Sequence, residues 1–375
     1  MKELSPRERL LRLFDGKDVD RLPASPFIHT NFVKEFFKDP DVDLIEGTVE
    51  VYKHFGFDVI HRNCTPSFGE SMNSGPDWQV RVSESECEKE QVVITTIETP
   101  EGELRQVLQR RKVSPYETIE AITEAFIKTR EDFELFLKYQ PPVPKLDTKN
   151  VTLAKKVTGE YGIVAPWVSG AFGFVVYYRK LEDLLMDAML ESSFYHEMLE
   201  YFTARCRDLA LQVATSGADI VAYNANIANG KVVSPGFFRQ HVFKYEKAVI
   251  EAIQSEGIPV LYHNCGPARV LLDIYPGLGM RAYESLSPPP VGDTVLEEAL
   301  KRLGGEMILS GNIDQVYFLR QASPHEIEKE VKRVMDSVRY RGKFILATTD
   351  YLHEGTPYEN IFALAEAGKR YGAYA

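Results

Sequence analysis

Short apolar runs alternate with longer stretches of helical periodicity along most of this chain. Eight of these runs predict strands: Leu22–His29, Phe57–Asn63, Gly162–Ser169, Ala218–Asn226, Pro259–Gly266, Met280–Leu286, Glu306–Ile313 and Lys343–Asp350. Most are continuously apolar rather than alternating, the pattern of parallel strands covered on both faces. Helical patterns lie between them, among them Val33–Phe37, Leu181–Ser216, Pro235–Glu256, Pro267–Tyr275, Val295–Leu303 and Pro324–Tyr340. Repeated strand–helix units imply parallel pairing through right-handed crossovers, and eight of them predict a (β/α)8 TIM barrel. An open doubly wound sheet is the structural alternative.

Helix starts are marked by a cap, a proline and a glutamate in Ser5-Pro6-Arg7-Glu8, Ser323-Pro324-His325-Glu326 and Thr356-Pro357-Tyr358-Glu359. Ser114-Pro115-Tyr116-Glu117 has the same form, and Ser234-Pro235 starts another helix without the glutamate. One region breaks the rhythm. Residues 77–111 read as antiparallel strands with a turn at Thr99-Pro100-Glu101-Gly102. The expected organisation is a single barrel domain over residues 1–375, with this β insertion after the second barrel strand. Pro141-Pro142-Val143-Pro144 acts as a stiff connector into the third unit.

Composition narrows the function classes. The 375 residues carry 44 Lys and Arg against 55 Asp and Glu, a net charge of −11, and so lack the basic excess of a general nucleic-acid binder. No run approaches about 18 uncharged apolar residues, so no membrane span is predicted. The start, Met1-Lys2-Glu3-Leu4-Ser5, is polar and has no signal-like apolar region. Cys64, Cys87, Cys206 and Cys265 are too few and too scattered for a disulfide framework, and a reducing cytoplasm is the expected compartment.

Barrel enzymes carry their chemistry at the C-terminal ends of strands. Those positions hold His29, His61, Asn63, Cys64, Trp167, Tyr223, Asn224, His263, Cys265, Glu284, Asn312, Asp314 and Asp350. The sharpest feature is Tyr262-His263-Asn264-Cys265-Gly266. Residues i and i+2 of a strand face one side, so His263 and Cys265 point together. An imidazole and a thiolate side by side suit Zn²⁺, with Asp350 or Glu284 as the further ligand and an open position for substrate. A nucleophilic Cys–His pair would need an orienting group and an oxyanion hole. Cys64 reads as a small buried residue. Asn224 and Asn226 are placed to hydrogen-bond a substrate or to stabilise their loop. His29 and Trp167 are candidates for substrate contact or for barrel-mouth core.

The order of motifs resembles the uroporphyrinogen decarboxylase superfamily and, within it, the corrinoid-dependent methyltransferases. The resembling stretches are Ser5-Pro6-Arg7-Glu8-Arg9, Asp20-Arg21-Leu22-Pro23, Gly56-Phe57-Asp58, Ser234-Pro235 through Tyr245, His263-Asn264-Cys265-Gly266, Gly311-Asn312-Ile313-Asp314 and Gly355-Thr356-Pro357-Tyr358-Glu359-Asn360-Ile361. The resemblance implies a barrel with its site at the C-terminal mouth. The decarboxylases use no metal and bind their tetrapyrrole through an N-terminal arginine-rich segment, which Pro23-Ala24-Ser25-Pro26-Phe27-Ile28-His29 does not match. The methyltransferases hold zinc with His-x-Cys and a distant cysteine. His263 and Cys265 match the pair, and Asp350 stands where the distant cysteine is expected.

A carboxylate in place of a thiolate makes a harder metal centre, suited to an oxygen substrate. The expected activity is therefore zinc-dependent transfer of a methyl group from an aryl methyl ether or methanol-like donor to the cob(I)alamin of a separate corrinoid protein. The expected metal ligands are His263, Cys265 and Asp350. Glu284 and His29 are the expected catalytic residues; Trp167, Tyr223, Asn224 and Asn312 are expected to contact substrate. The competing readings are methyl transfer from methylcobalamin to a thiol or folate, a metal-free decarboxylase-like lyase, and a non-catalytic binder. No Asp-x-His-x-x-Gly corrinoid-ligand motif is present, so the corrinoid would arrive on its partner. Monomer and homodimer are both compatible with the sequence.

Overall fold

The computed structural model describes residues 3–66, 74–87 and 90–374; the Ser74 and Cys87 side chains lie outside what is described. Its strands are β1 (Val59–His61), β2 (Ser74–Gly75), β3 (Trp78–Cys87), β4 (Glu90–Thr99), β5 (Gly102–Lys112), β6 (Thr118–Glu124), β7 (Gly162–Val164), β8 (Trp167–Ser169), β9 (Val221–Asn224), β10 (Val260–His263), β11 (Ala282–Ser285), β12 (Ile308–Ile313) and β13 (Phe344–Thr348). β8 to β13 form one parallel sheet in chain order, and β1 pairs in parallel with β7. The fold is α/β with parallel strands, as the run-and-helix pattern predicts.

Two expected strands are interrupted, both at prolines, which donate no N–H to a ladder. Pro166 separates β7 from β8, and its carbonyl accepts from Ala222 N at 3.0 Å. In the expected strand Leu22–His29, Pro23 and Pro26 leave only a bridge between Ala24 and Leu346. Around that bridge Ser25 N donates to Leu346 O at 2.8 Å and Leu346 N to Pro23 O at 2.9 Å, while Asp58 N donates to Ala24 O at 2.9 Å. Backbone hydrogen bonds thus continue from β13 through Pro23–Ser25 to the residue preceding β1.

Alternate residues of the parallel strands build two cores. Ile60, Ile163, Ala165, Ile220, Ala222, Leu261, Ala282, Ile308 and Ile345 form an inner cluster, joined by Leu10, Leu13 and Phe14 of the helix Pro6–Phe14. Val59, Val221, Tyr223, Val260, Tyr262, Tyr283, Leu309 and Phe344 face outward into the larger cluster shared with the helices. The N-terminal helix is locked by buried charge. Arg9, 2% exposed, binds Asp20 at 2.8 Å and Asp58 at 2.5 Å. Asp58 also accepts from Arg21 at 2.9 Å and from Ala24 N at 2.9 Å. The motif residues Arg9, Asp20, Arg21 and Asp58 are therefore the joint between the first helix, the Pro23–Ser25 bridge and β1.

The cap signals divide. Ser323 and Glu326 form a reciprocal capping box, and Ser5 and Ser234 each accept from the third backbone N–H. Thr356 instead donates to His353 O at 2.7 Å, and the last helix, Tyr358–Gly372, starts without a side-chain cap. Ser114 accepts from Glu117 N at 2.9 Å, but the chain turns there into β6 and starts no helix. The turn and the strand after it compete for the same local signal. Pro267–Tyr275 yields only the 3-10 turn Arg269–Leu271. Leu181–Ser216 is two helices, Leu181–Leu190 and Ser192–Ala214. Pro235–Glu256 is an α-turn, a π-helical stretch Phe238–Val242 and the helix Phe243–Ser255. The insertion is larger than its expected span, a five-stranded antiparallel sheet of β2 to β6.

Removing the buried carboxylate at the joint takes one of two carboxylates from Arg9 and the ion-pair partner of Arg21. Asp58→Ala is expected to cost about 3–5 kcal/mol of unfolding free energy, measured by urea denaturation; a loss under about 1 kcal/mol would contradict the joint.

Candidate functional site

The inner face of the strands steps directly from core to chemistry. Two residues beyond Leu261, Ala282, Ile60 and Ala222 stand His263, Glu284, Arg62 and Asn224. Register holds the first two side by side, with His263 opposite Glu284 and, on its other flank, Asn224.

Glu284 is 1% exposed and links two of these groups. Its Oε2 accepts from His263 Nδ1 at 2.9 Å and its Oε1 from Arg62 Nη2 at 2.5 Å. Ser310 Oγ lies 3.5 Å from the same Oε1. Burial by itself would raise the Glu284 pKa, but Arg62, with the hydrogen bond from His263, outweighs it and holds the carboxyl below its ordinary value. An ionised carboxylate accepts only, so Nδ1 of His263 carries a proton and Nε2 is the ring nitrogen that faces Asp350. Arg62 is 1% exposed and lies over Phe27 at 4.5 Å and Trp167 at 5.7 Å from the ring centroids. Its Nε and Nη1 are buried with no hydrogen-bond partner among the described residues.

His263, Cys265 and Asp350 each offer one ligand atom, all within 4.8 Å of one another. His263 Nε2 is 3.8 Å from Asp350 Oδ1. Tetrahedral zinc with bonds of about 2.0–2.3 Å sets its ligand atoms roughly 3.5 Å apart, so this N, S, O set fits the ion. Cys265 lies past the end of β10, positioned by its N–H to Asn226 Oδ1 at 2.9 Å. Gly266 follows at φ +86, a left-handed turn that takes the chain away from the cluster. Buried Asn264 donates to the carbonyls of Ala225 at 3.1 Å and Ala228 at 3.3 Å, tying this loop to the one after β9. Burial, then the facing Asp350 carboxylate, pushes the Cys265 thiol up. That direction is opposite to the activation of a cysteine nucleophile.

The remaining expected residues separate into two groups. The Trp167 ring meets His263 at 5.6 Å and Phe27 at 5.4 Å. His29 lies 5.1 Å from Tyr351, the neighbour of Asp350, and burial lowers its pKa, leaving a neutral ring. Asn224 is exposed beside His263. Tyr223, by contrast, is fully buried on the outer face, where its hydroxyl donates to Glu246 at 2.5 Å. The strand's alternation turns it away from Asn224, which corrects its expected contact with substrate. Asn312 is 3% exposed and its amide donates to Leu286 O at 2.6 Å, a role within the backbone of the site rather than on its surface. Glu284, an expected catalytic residue, lies buried behind His263 and accepts from its Nδ1, which places it as an orienting group. Arg62 is absent from the expected site. Its parity with Ile60 was the available signal; His61, at the opposite parity, points outward to Ile45 O at 2.9 Å.

The family model described as uroporphyrinogen decarboxylase (URO-D) matches residues 117–371. Among curated proteins, the chain is 22% identical over 380 residues to the methylcobamide:CoM methyltransferase MtbA of Methanosarcina mazei, covering 99% of both chains. It is 22% identical over 385 residues to the MtbA of Methanosarcina acetivorans, again covering 99% of both. A solved structure of a methyltransferase from Methanosarcina mazei shares the fold, with a TM-score of 0.72 at 16% identity over 99% of this chain and 100% of that one.

Glu284→Gln removes the charge that Arg62 faces. It is expected to lower unfolding free energy by about 3–5 kcal/mol in urea titration, and Arg62→Met added to it should recover part of the loss. An additive double variant would contradict the pairing.

Proposed function

We propose that this chain, which belongs to the uroporphyrinogen decarboxylase family, is a zinc-dependent methyltransferase that moves a methyl group from an O-methyl donor to the corrinoid of a separate protein. The convergence of His263 Nε2, Cys265 and Asp350 within 4.8 Å carries the proposal. The proposal takes the parallel strands as a (β/α)8 barrel closed through Pro23–Ser25, with this cluster at the C-terminal strand ends.

His263, Cys265 and Asp350 would hold the ion, which when bound supplies a Lewis acid for the donor oxygen. The other roles fall to the protein itself. Glu284 fixes the His263 tautomer and ring direction, and Arg62 keeps Glu284 ionised. Phe27 and Trp167 pack against His263 and Arg62 and keep bulk water from that side. Transfer breaks the O–CH3 bond with its electron pair left on oxygen, which then takes up a proton. Cobalt(I) of the acceptor supplies the pair for the new bond to carbon. The corrinoid is a substrate here, presented at the mouth by its own carrier.

One observation favours a second reading. Both full-length curated relatives are methylcobamide:CoM methyltransferases. The same cluster could then hold a thiol acceptor, with methyl transfer running from corrinoid to sulfur.

Two measurements test these proposals. Purified protein should contain about one zinc per chain by elemental mass spectrometry, lost in Cys265→Ala and in His263→Ala. Absence of zinc from wild type after reconstitution would overturn the metal site. Zinc-loaded protein incubated with cob(I)alamin and a panel of methyl ethers and methanol should consume an O-methyl donor, read as formation of methylcobalamin. Turnover only from methylcobalamin to a thiol would reverse the assigned direction.

A further inference from the structure

The inserted sheet spans the space beside the cluster and is fastened at both sides. Gln106 Nε2 of β5 donates to Tyr177 O at 2.7 Å. In the turn from β5 to β6, Glu117 accepts from the Tyr351 hydroxyl at 2.6 Å, and Ser114 binds Glu354. Tyr351 directly follows the candidate ligand Asp350, so the sheet is tied to the loop that carries a metal ligand.

Beneath this sheet lies a cavity of about 680 Å³. Val80 and Ile97 of the sheet form one wall; Phe174 and Tyr178 form another. Among the described residues, none that lines the cavity is charged, and Gln140, Thr95 and Ser169 are among its polar groups. The volume falls within the roughly 300–1,000 Å³ of small-molecule sites. Trp167 lines the cavity and also packs on His263 at 5.6 Å, so it stands between the cavity and the cluster. Burying a charged ligand here without a counter-charge would be strongly unfavourable. Aromatic walls favour a flat ring through edge and face contacts.

We propose that this cavity binds the ring of an uncharged aryl methyl ether, with its methoxy group directed past Trp167 toward His263, Cys265 and Asp350, and that the inserted sheet selects for that ring. The assignment rests on the methyltransferase reading and names its substrate class.

The protein's two tryptophans, Trp78 and Trp167, both line the cavity, so intrinsic fluorescence reports its occupancy. Zinc-loaded full-length protein titrated with 2-methoxyphenol should show saturable change in tryptophan emission. Ile97→Phe and Thr95→Phe each fill part of the cavity and should weaken binding at least about tenfold. Thermal melts identify which of the two variants is folded. No saturable change in wild type, or unchanged affinity in a folded variant of each position, overturns the proposal. The titration contains no corrinoid, so ring binding without methyl transfer would count against the methyltransferase reading and leave the cavity assignment standing. Methyl transfer from methanol without ring binding would do the reverse.

Discussion

A single buried carboxylate organises the site. Glu284 is surrounded by protein, and an isolated charge there would be untenable. Arg62 makes it tenable and His263 uses it, one on each oxygen. The arrangement fixes three things together: the charge on Glu284, the tautomer of His263 and the position of Arg62 over Phe27 and Trp167. The wall of the mouth and the basicity of the candidate ligand are therefore one structure. Without Arg62, the carboxyl would drift toward protonation and the imidazole would lose its fixed direction.

Strand register gives this chain of contacts its rigidity. The inner core supplies Ile60, Ala222, Leu261 and Ala282, one from each of four strands. Two residues further on, β9, β10 and β11 supply Asn224, His263 and Glu284, and the residue just past β1 is Arg62. A one-residue slip in any strand would exchange a site residue for an outward-facing one. Cys265 and Asp350 come from segments beyond the strand ends, where Asn226, Gly266 and the Tyr351–Glu117 bond replace register as the positioning device.

The parallel α/β order was legible because buried strands read as continuous apolar runs, and the His263–Cys265 pair because period-two geometry survives past the end of β10. Tyr223 was misplaced for the same geometric reason in reverse: a polar hydroxyl at a strand end suggests a mouth residue, yet parity puts it in the outer layer, where Glu246 satisfies it. Arg62 was hidden because an arginine in an apolar run reads as a surface charge; only its partner on a strand far away in sequence makes burial tolerable. The broken strands at Pro23, Pro26 and Pro166 carried a visible signal in the missing N–H groups. The cavity under the inserted sheet carried none, because it exists only where β3 and β4 meet residues from several separate segments, from Phe126 to Asn224.

In the proposed zinc site Asp350 stands where the family resemblance implies a cysteine, and charge conservation bears on that difference. Thiolate and carboxylate carry the same charge, so the replacement leaves the electrostatic balance of the cluster intact. With zinc bound, the two positive charges of the ion would balance the Cys265 thiolate and Asp350, while Arg62 balances Glu284. The buried constellation is then neutral as a whole, and Cys265, whose thiol is pushed up by burial and by the facing Asp350, has a partner for its ionised form. What changes is the softness of the donor set. A carboxylate leaves the ion harder and more attracted to oxygen than a second thiolate would. In the proposed zinc site, Asp350 would therefore shift the preferred substrate atom from sulfur to oxygen without altering the charge that the fold must accommodate.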